Sequence, residues 1–143
     1  MSLFLLPDVN LWVAINHKIH LHHASAISWF NTLDEQGTLV FCRQTQMGLF
    51  RLLTTASVLG TGTLTMRQCW KLYYEWIESE AAELWSEPPG IEEAFARNTA
   101  SDERSPKRWN DAYLAAFAET ARITLVTFDK ALAGTAKSAI LLR

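Results

Sequence analysis

The sequence predicts an α/β protein, a three-layer α/β/α sandwich built around a central, mostly parallel sheet. Three observations carry this. Short apolar runs alternate along the chain with longer segments whose apolar residues recur near helical spacing. Strands separated by helices pair in parallel and bury both faces of their sheet. Two of the apolar runs end in an aspartate, at the strand end where open parallel sheets gather functional groups. A length of 143 residues predicts one domain, 1–143, because a single hydrophobic core is comfortable at this size.

The elements follow in order. Residues 3–6 form a short buried strand stopped by Pro7, and a helix begins at Asn10. Residues 22–33 make a better helix, with Ala24, Ile27, Trp29, Phe30 and Leu33 in register, broken by Gly37. Residues 38–41 are a second strand, and residues 45–53 a helix carrying Met47, Leu49, Phe50, Leu52 and Leu53. Residues 54–65 hold Gly60 and Gly62 among small polar residues and read as a mobile loop. Residues 65–77 return to helical spacing through Cys69, Trp70, Tyr73, Tyr74 and Ile77, and residues 82–85 are a third strand candidate. After the Pro88-Pro89-Gly90 turn comes a short helix at 91–97. Ser105-Pro106 reads as the opening of a long helix, Ser capping free amides and Pro suiting the first helical position. Residues 123–127 are another buried strand, and 139–142 a last candidate.

Composition narrows the function classes. Hydrophobic residues at 49% and charged residues at 20% are those of a soluble globular protein. A net charge of −2 excludes a broadly basic nucleic-acid binder but not a local basic patch, since phosphate affinity depends on where cations sit. Arg43, Arg51, Arg104, Lys107, Arg108 and Lys130 are either such a track or ordinary solvated surface. Cys42 and Cys69 lie far apart, as reduced, partly buried thiols do. The apolar start lacks a leading positive charge and is interrupted by Pro7, Asp8 and Asn10, so neither a signal peptide nor a spanning helix is expected. No membrane partner is expected, and the expected location is cytoplasmic.

Asp8 and Asp129 follow the two aspartate-terminated strands, and Asp111 lies beside the apolar stripe of Trp109, Tyr113, Ala116 and Phe117 on its helix. Singly, such residues are turn formers, helix caps or solvated surface. Gathered in one cleft, three carboxylates repel one another and need a cation to stay ionised together. A hard ion such as Mg²⁺ or Mn²⁺ takes oxygen ligands and can act on a phosphodiester. His17, His20, His22 and His23 cluster, but nothing obviously completes a tetrahedral set, and solvated or capping roles are expected. Trp70, Tyr73 and Tyr74 fit a core or dimer interface better than a base-stacking platform.

Three motifs carry a resemblance to a known family. Leu6-Pro7-Asp8-Val9-Asn10 resembles the first acidic motif of PIN domains, the Trp109–Ala118 segment around Asp111 the helix with a later acid, and Thr127-Phe128-Asp129 the closing T-x-D motif. With His22-His23, the helix from Gln46 and Glu87-Pro88-Pro89-Gly90, the chain resembles VapC-type toxins over nearly its whole length. The resemblance implies a PIN-like fold and an RNA endonuclease with a Mg²⁺ or Mn²⁺ site at Asp8, Asp111 and Asp129. It also implies a cognate antitoxin, a homodimer, and operator DNA bound only through the antitoxin. Thr127 matches the hydroxyl residue of the closing motif and Asn10 the polar neighbour of the first acid. The family's second acid falls on Gln46, which brings a carbonyl but no charge and predicts weaker metal binding. A catalytically weak RNA- or antitoxin-binding module is the alternative that Gln46 supports. An unrelated phosphotransfer or receiver domain is opposed by the lack of D-x-D after the first strand and of a Gly-rich phosphate loop.

Overall fold

Alternation along the strands decides the architecture. In β1 (Leu3–Pro7) Leu5 faces one core and Leu6 the other, and in β2 (Gly37–Phe41) Leu39 and Phe41 oppose Val40. In β4 (Thr124–Thr127) Leu125 and Val126 divide in the same way. A strand buried on both faces needs helices above and below, which is the three-layer arrangement expected. The computed structural model describes residues 3–143.

Among the described residues, β3 (Ala82–Leu84) and β5 (Ala139–Leu141) complete a five-stranded parallel sheet of order β3-β2-β1-β4-β5. Leu5 pairs with Leu39 on one side and with Thr124 on the other, so β1 is central. The chain winds outward from β1 to β3, then returns to lay β4 against β1. The order therefore reverses between β1 and β4, the place where such sheets bind ligands.

Right-handed crossovers running in opposite directions put their helices on opposite faces. Helices α1 (Val9–Asn16), α2 (His23–Thr32), α3 (Arg43–Leu53) and α5 (Met66–Glu78) pack on the first core, where Trp12 stacks on Phe41 with ring centroids 3.8 Å apart. On the opposite face α7 (Arg108–Ala121) contributes Leu114 and Phe117, and α8 (Lys130–Thr135) contributes Leu132. The short α6 (Ile91–Asn98) adds Ile91 there. Gly48 lets α3 approach α1: a Cβ built on it would stand 2.5 Å from Val9 Cγ2.

Three expectations are revised. The segment read as a mobile loop contains α4 (Ala56–Leu59) and a 3-10 turn at Gly60–Gly62, anchored by buried Leu59 and by Leu64 N–H donating to the Leu53 carbonyl. Helix α7 starts at Arg108, not at Ser105-Pro106, because Ser105 offers its backbone carbonyl to Arg108 N–H rather than a side-chain cap. Trp109, read as part of the apolar stripe of α7, is 58% exposed. No helix among the described residues is long and apolar enough to cross a membrane.

Candidate active site

The site begins with an aspartate that ends a strand and opens a helix. Asp8 follows β1, and its Oδ1 accepts from Leu11 N–H at 2.8 Å as the N-cap of α1. Its Oδ2 accepts from the hydroxyl of Thr127, the fully buried last residue of β4, at 2.5 Å. Thr127 Oγ1 in turn accepts from Asp129 N–H at 2.9 Å. Asp129 repeats the device: its Oδ1 accepts from Ala131 and Leu132 N–H at 2.8 and 3.2 Å, capping α8. The two strands that flank the reversal thus end in carboxylates fixed by helix N-termini, whose positive ends favour negative charge.

Asp111 enters from the first turn of α7. Asp8, Asp111 and Asp129 line one cleft of about 650 Å³ together with Asn10, Gln44 and Arg51. Only 6% of Asp8 is exposed, and burial pushes its carboxyl above the usual carboxylate range. The bonds from Thr127 and Leu11 act against that rise, while the charges of Asp129 and Asp111 add to it. Asp111 is also raised, first by burial and then by Asp129, with Lys107 and Arg108 pulling it down. Repulsion between carboxylates in one cleft thus adds to burial at both Asp8 and Asp111.

The expected second-acid position lies elsewhere. Gln46 is 2% exposed, its Oε1 accepts from Arg43 Nη1 at 2.6 Å, and it is not among the residues lining the cleft. Gln44 lines the cleft instead, and two residues along a helix is about 200° around it, so the two glutamines cannot share a face. Gln44 Nε2 donates to Asn110 Oδ1 at 3.0 Å, which ties α3 to α7 beside Asp111. Sequence reading missed Gln44 and passed over Asn110. No hydropathy signal pointed to Gln44, because the buried face of α3 is partly polar, whereas adjacency to Asp111 was the signal for Asn110.

Of the basic candidates Arg51 lines the cleft, while Arg104 and Arg108 line a neighbouring groove. The histidines serve local structure. His17 Nε2 bonds the Gly62 carbonyl at 3.1 Å, His23 Nδ1 the Ala14 carbonyl at 2.7 Å, and His22 stacks on Phe128 at 4.4 Å. Tyr73 is buried, whereas Trp70 and Tyr74 beside it are half exposed. Among the described residues no three His, Cys, Asp or Glu converge closely enough to ligate one ion by themselves. The cleft's donors are carboxylate and amide oxygens, which fit a hard ion held through one or two carboxylates with water completing its shell.

Comparison with known proteins identifies the frame. The PIN domain family model matches residues 5–138. Ribonuclease VapC41 of Mycobacterium tuberculosis is 40% identical over 131 residues, covering 89% of this chain and 90% of its own length. Ribonuclease VapC39 of the same organism is 30% identical over 138 residues, with 94% and 95% covered. The structure of VapBC2 from Rickettsia felis, bound to a promoter DNA fragment, aligns over 99% of this chain and 100% of its own with a TM-score of 0.66 at 13% identity, a likeness of fold. The motifs around Asp8, Asp111 and Asp129, the reversal of the sheet between β1 and β4 and these relatives agree, and the chain belongs to the PIN-domain family as a VapC-type ribonuclease.

Proposed function

We propose that the protein is a Mg²⁺- or Mn²⁺-dependent endoribonuclease and the toxin of a toxin–antitoxin pair. One observation carries the metal dependence: Asp8, Asp111 and Asp129 share a cleft in which burial and then the charge of Asp129 raise the proton affinity of both Asp8 and Asp111. When bound, a divalent ion supplies the positive charge that keeps these carboxylates ionised and steadies negative charge developing on a phosphodiester.

The chain's own residues do the remaining work. Asp8 and Asp129 present carboxylates whose orientation is set by their helix caps, and Thr127 locks Asp8 in place through Oδ2. Asp111, on a different helix, brings the third carboxylate to the same cleft. Asn10 and Arg51 offer an amide and a guanidinium to the phosphate oxygens, the fork of Arg suiting phosphate. The Gln44–Asn110 bond bridges α3 and α7 at the wall of the cleft beside Asp111. Gln46, bound to Arg43 outside the lining, lends little weight to a catalytically weak binding module.

The partners of this reading are RNA, a cognate antitoxin and a second copy of the chain, with operator DNA reached through the antitoxin. Support for the antitoxin comes from the VapBC2 assembly whose fold this chain shares. Incubating the purified protein with single-stranded RNA tests the proposal. Cleavage should require added Mg²⁺ or Mn²⁺ and vanish in Asp8→Asn. Cleavage that persists in excess EDTA overturns the metal dependence.

A further inference from the structure

We infer that the groove beside Trp109 is a nucleotide-binding subsite, which takes the RNA residue flanking the cleaved phosphodiester and stacks its base on the Trp109 indole. The inference rests on the ribonuclease reading above and deepens it by placing the substrate strand. Trp109 stands two residues before Asp111 on α7, yet its side chain is turned to solvent, 58% exposed. A tryptophan so placed has a large apolar face without a partner. Its ring is nevertheless held, edge to face with Phe95 at 5.9 Å and 70°. A pre-oriented exposed aromatic is what a base-stacking platform requires, and stacking accepts any base because each has a π-face.

The groove shares Asn98 and Arg108 with a depression that reaches Asp111. It measures about 410 Å³, within the roughly 300–1,000 Å³ of small-molecule sites, and is lined by Asn98, Arg104, Arg108 and Trp109. Asp111 also lines the catalytic cleft. Trp109 and Asp111 stand about 200° apart around α7 with Arg108 between them, so a strand with one phosphate at Asp111 reaches Trp109 by wrapping the first turn of the helix past Arg108 and Asn98.

Charge favours the same occupant. Arg104 and Arg108 line the groove, with Lys107 adjoining in sequence, while Glu103 is the carboxylate on its wall. Arg108 Nη1 donates to both Glu103 oxygens at 3.2 and 3.1 Å, across a pair whose side chains are 43% and 60% exposed. Such surface pairs exchange partners at little cost, so an incoming phosphate can take Arg108 from Glu103.

The test uses the full-length Asp8→Asn protein and fluorescein-labelled single-stranded octaribonucleotides, read by anisotropy. Trp109→Ala should weaken binding about tenfold, the scale of one lost base stack, and Trp109→Phe should keep most of the affinity. Glu103→Gln should tighten binding several-fold and steepen its salt dependence. In the otherwise native enzyme, Trp109→Ala should raise KM for the octamer with kcat retained. Native enzyme that cuts RNA while Trp109→Ala binds and cuts the octamer normally overturns the subsite alone. If Trp109→Ala instead weakens only a protein partner, the groove is a protein-docking site and the proposal fails. A native enzyme that cuts no RNA overturns the ribonuclease reading and the subsite together.

Discussion

The Thr127 hydroxyl donates to Oδ2 of Asp8 at 2.5 Å, joining the ends of β4 and β1 across 119 residues of chain. Both residues are buried, so the bond to a carboxylate has no water to replace it. Thr127→Val keeps the shape and removes the donor. It should destabilise the protein by about 1–3 kcal/mol in urea unfolding. Cleavage should fall as Asp8 loses its orientation, and Thr127→Ser should recover most of both. Unchanged cleavage in Thr127→Val would show that Asp8 needs no such support.

The contribution of Asp8 and Asp111 to the stability of the metal-free protein should fall as pH rises. Asp8 and Asp111 are raised above their unfolded values, mainly by burial. The folded state therefore binds more protons than the unfolded state between the unfolded and folded values, and stability is lost across that window as the carboxyls ionise. Above it the penalty is complete. In EDTA at neutral pH, Asp8→Asn should raise Tm by a few degrees, and the difference should vanish below pH ~3.5, where Asp8 is protonated in both states. A variant that melts lower than the native chain at neutral pH would contradict this sign.

Gln44 and Gln46 should respond differently to the same substitution. Gln44→Glu adds a charge to the cleft and should tighten Mg²⁺ binding, since ligand charge tunes affinity in oxygen sites. Gln46→Glu should convert the bond from Arg43 into an ion pair and leave Mg²⁺ affinity within about twofold, because the new charge is matched outside the lining. Calorimetric titration of both variants decides it. Tighter binding in Gln46→Glu alone would return residue 46 to the site.

The exposed aromatic face of α5 should mediate self-association. Trp70 stacks on Tyr74 at 5.7 Å, and Met66 extends the same apolar surface into solvent. Apolar surface of this kind marks an interface in soluble proteins. Light scattering at micromolar concentration should give a dimer, and Trp70→Glu should shift it to monomer without unfolding. A native monomer would remove the claim.

Local sequence alone determined the strands, the longer helices and the outline of the site, but not α4 or α8. Apolar runs such as Leu3-Phe4-Leu5-Leu6 identify strands buried on both faces, because a polar side chain on either face would lose water without gaining a partner. Asp8 and Asp129 were legible for a similar reason: an aspartate after such a run both caps the next helix and stands at the functional end of the sheet. Asp111 was legible only as a member of the set. Tertiary structure decided the rest. Which glutamine of α3 faces the cleft depends on the rotation of that helix, and its buried residues include polar Thr45 and Gln46, so hydropathy did not reveal the phase. The close approach of Gly48 to Val9 and the Gln44–Asn110 bond set that rotation. Trp109 followed the apolar stripe of α7 in the sequence. Yet Trp109 joins neither core cluster, and its indole lies exposed on the wall of a separate groove.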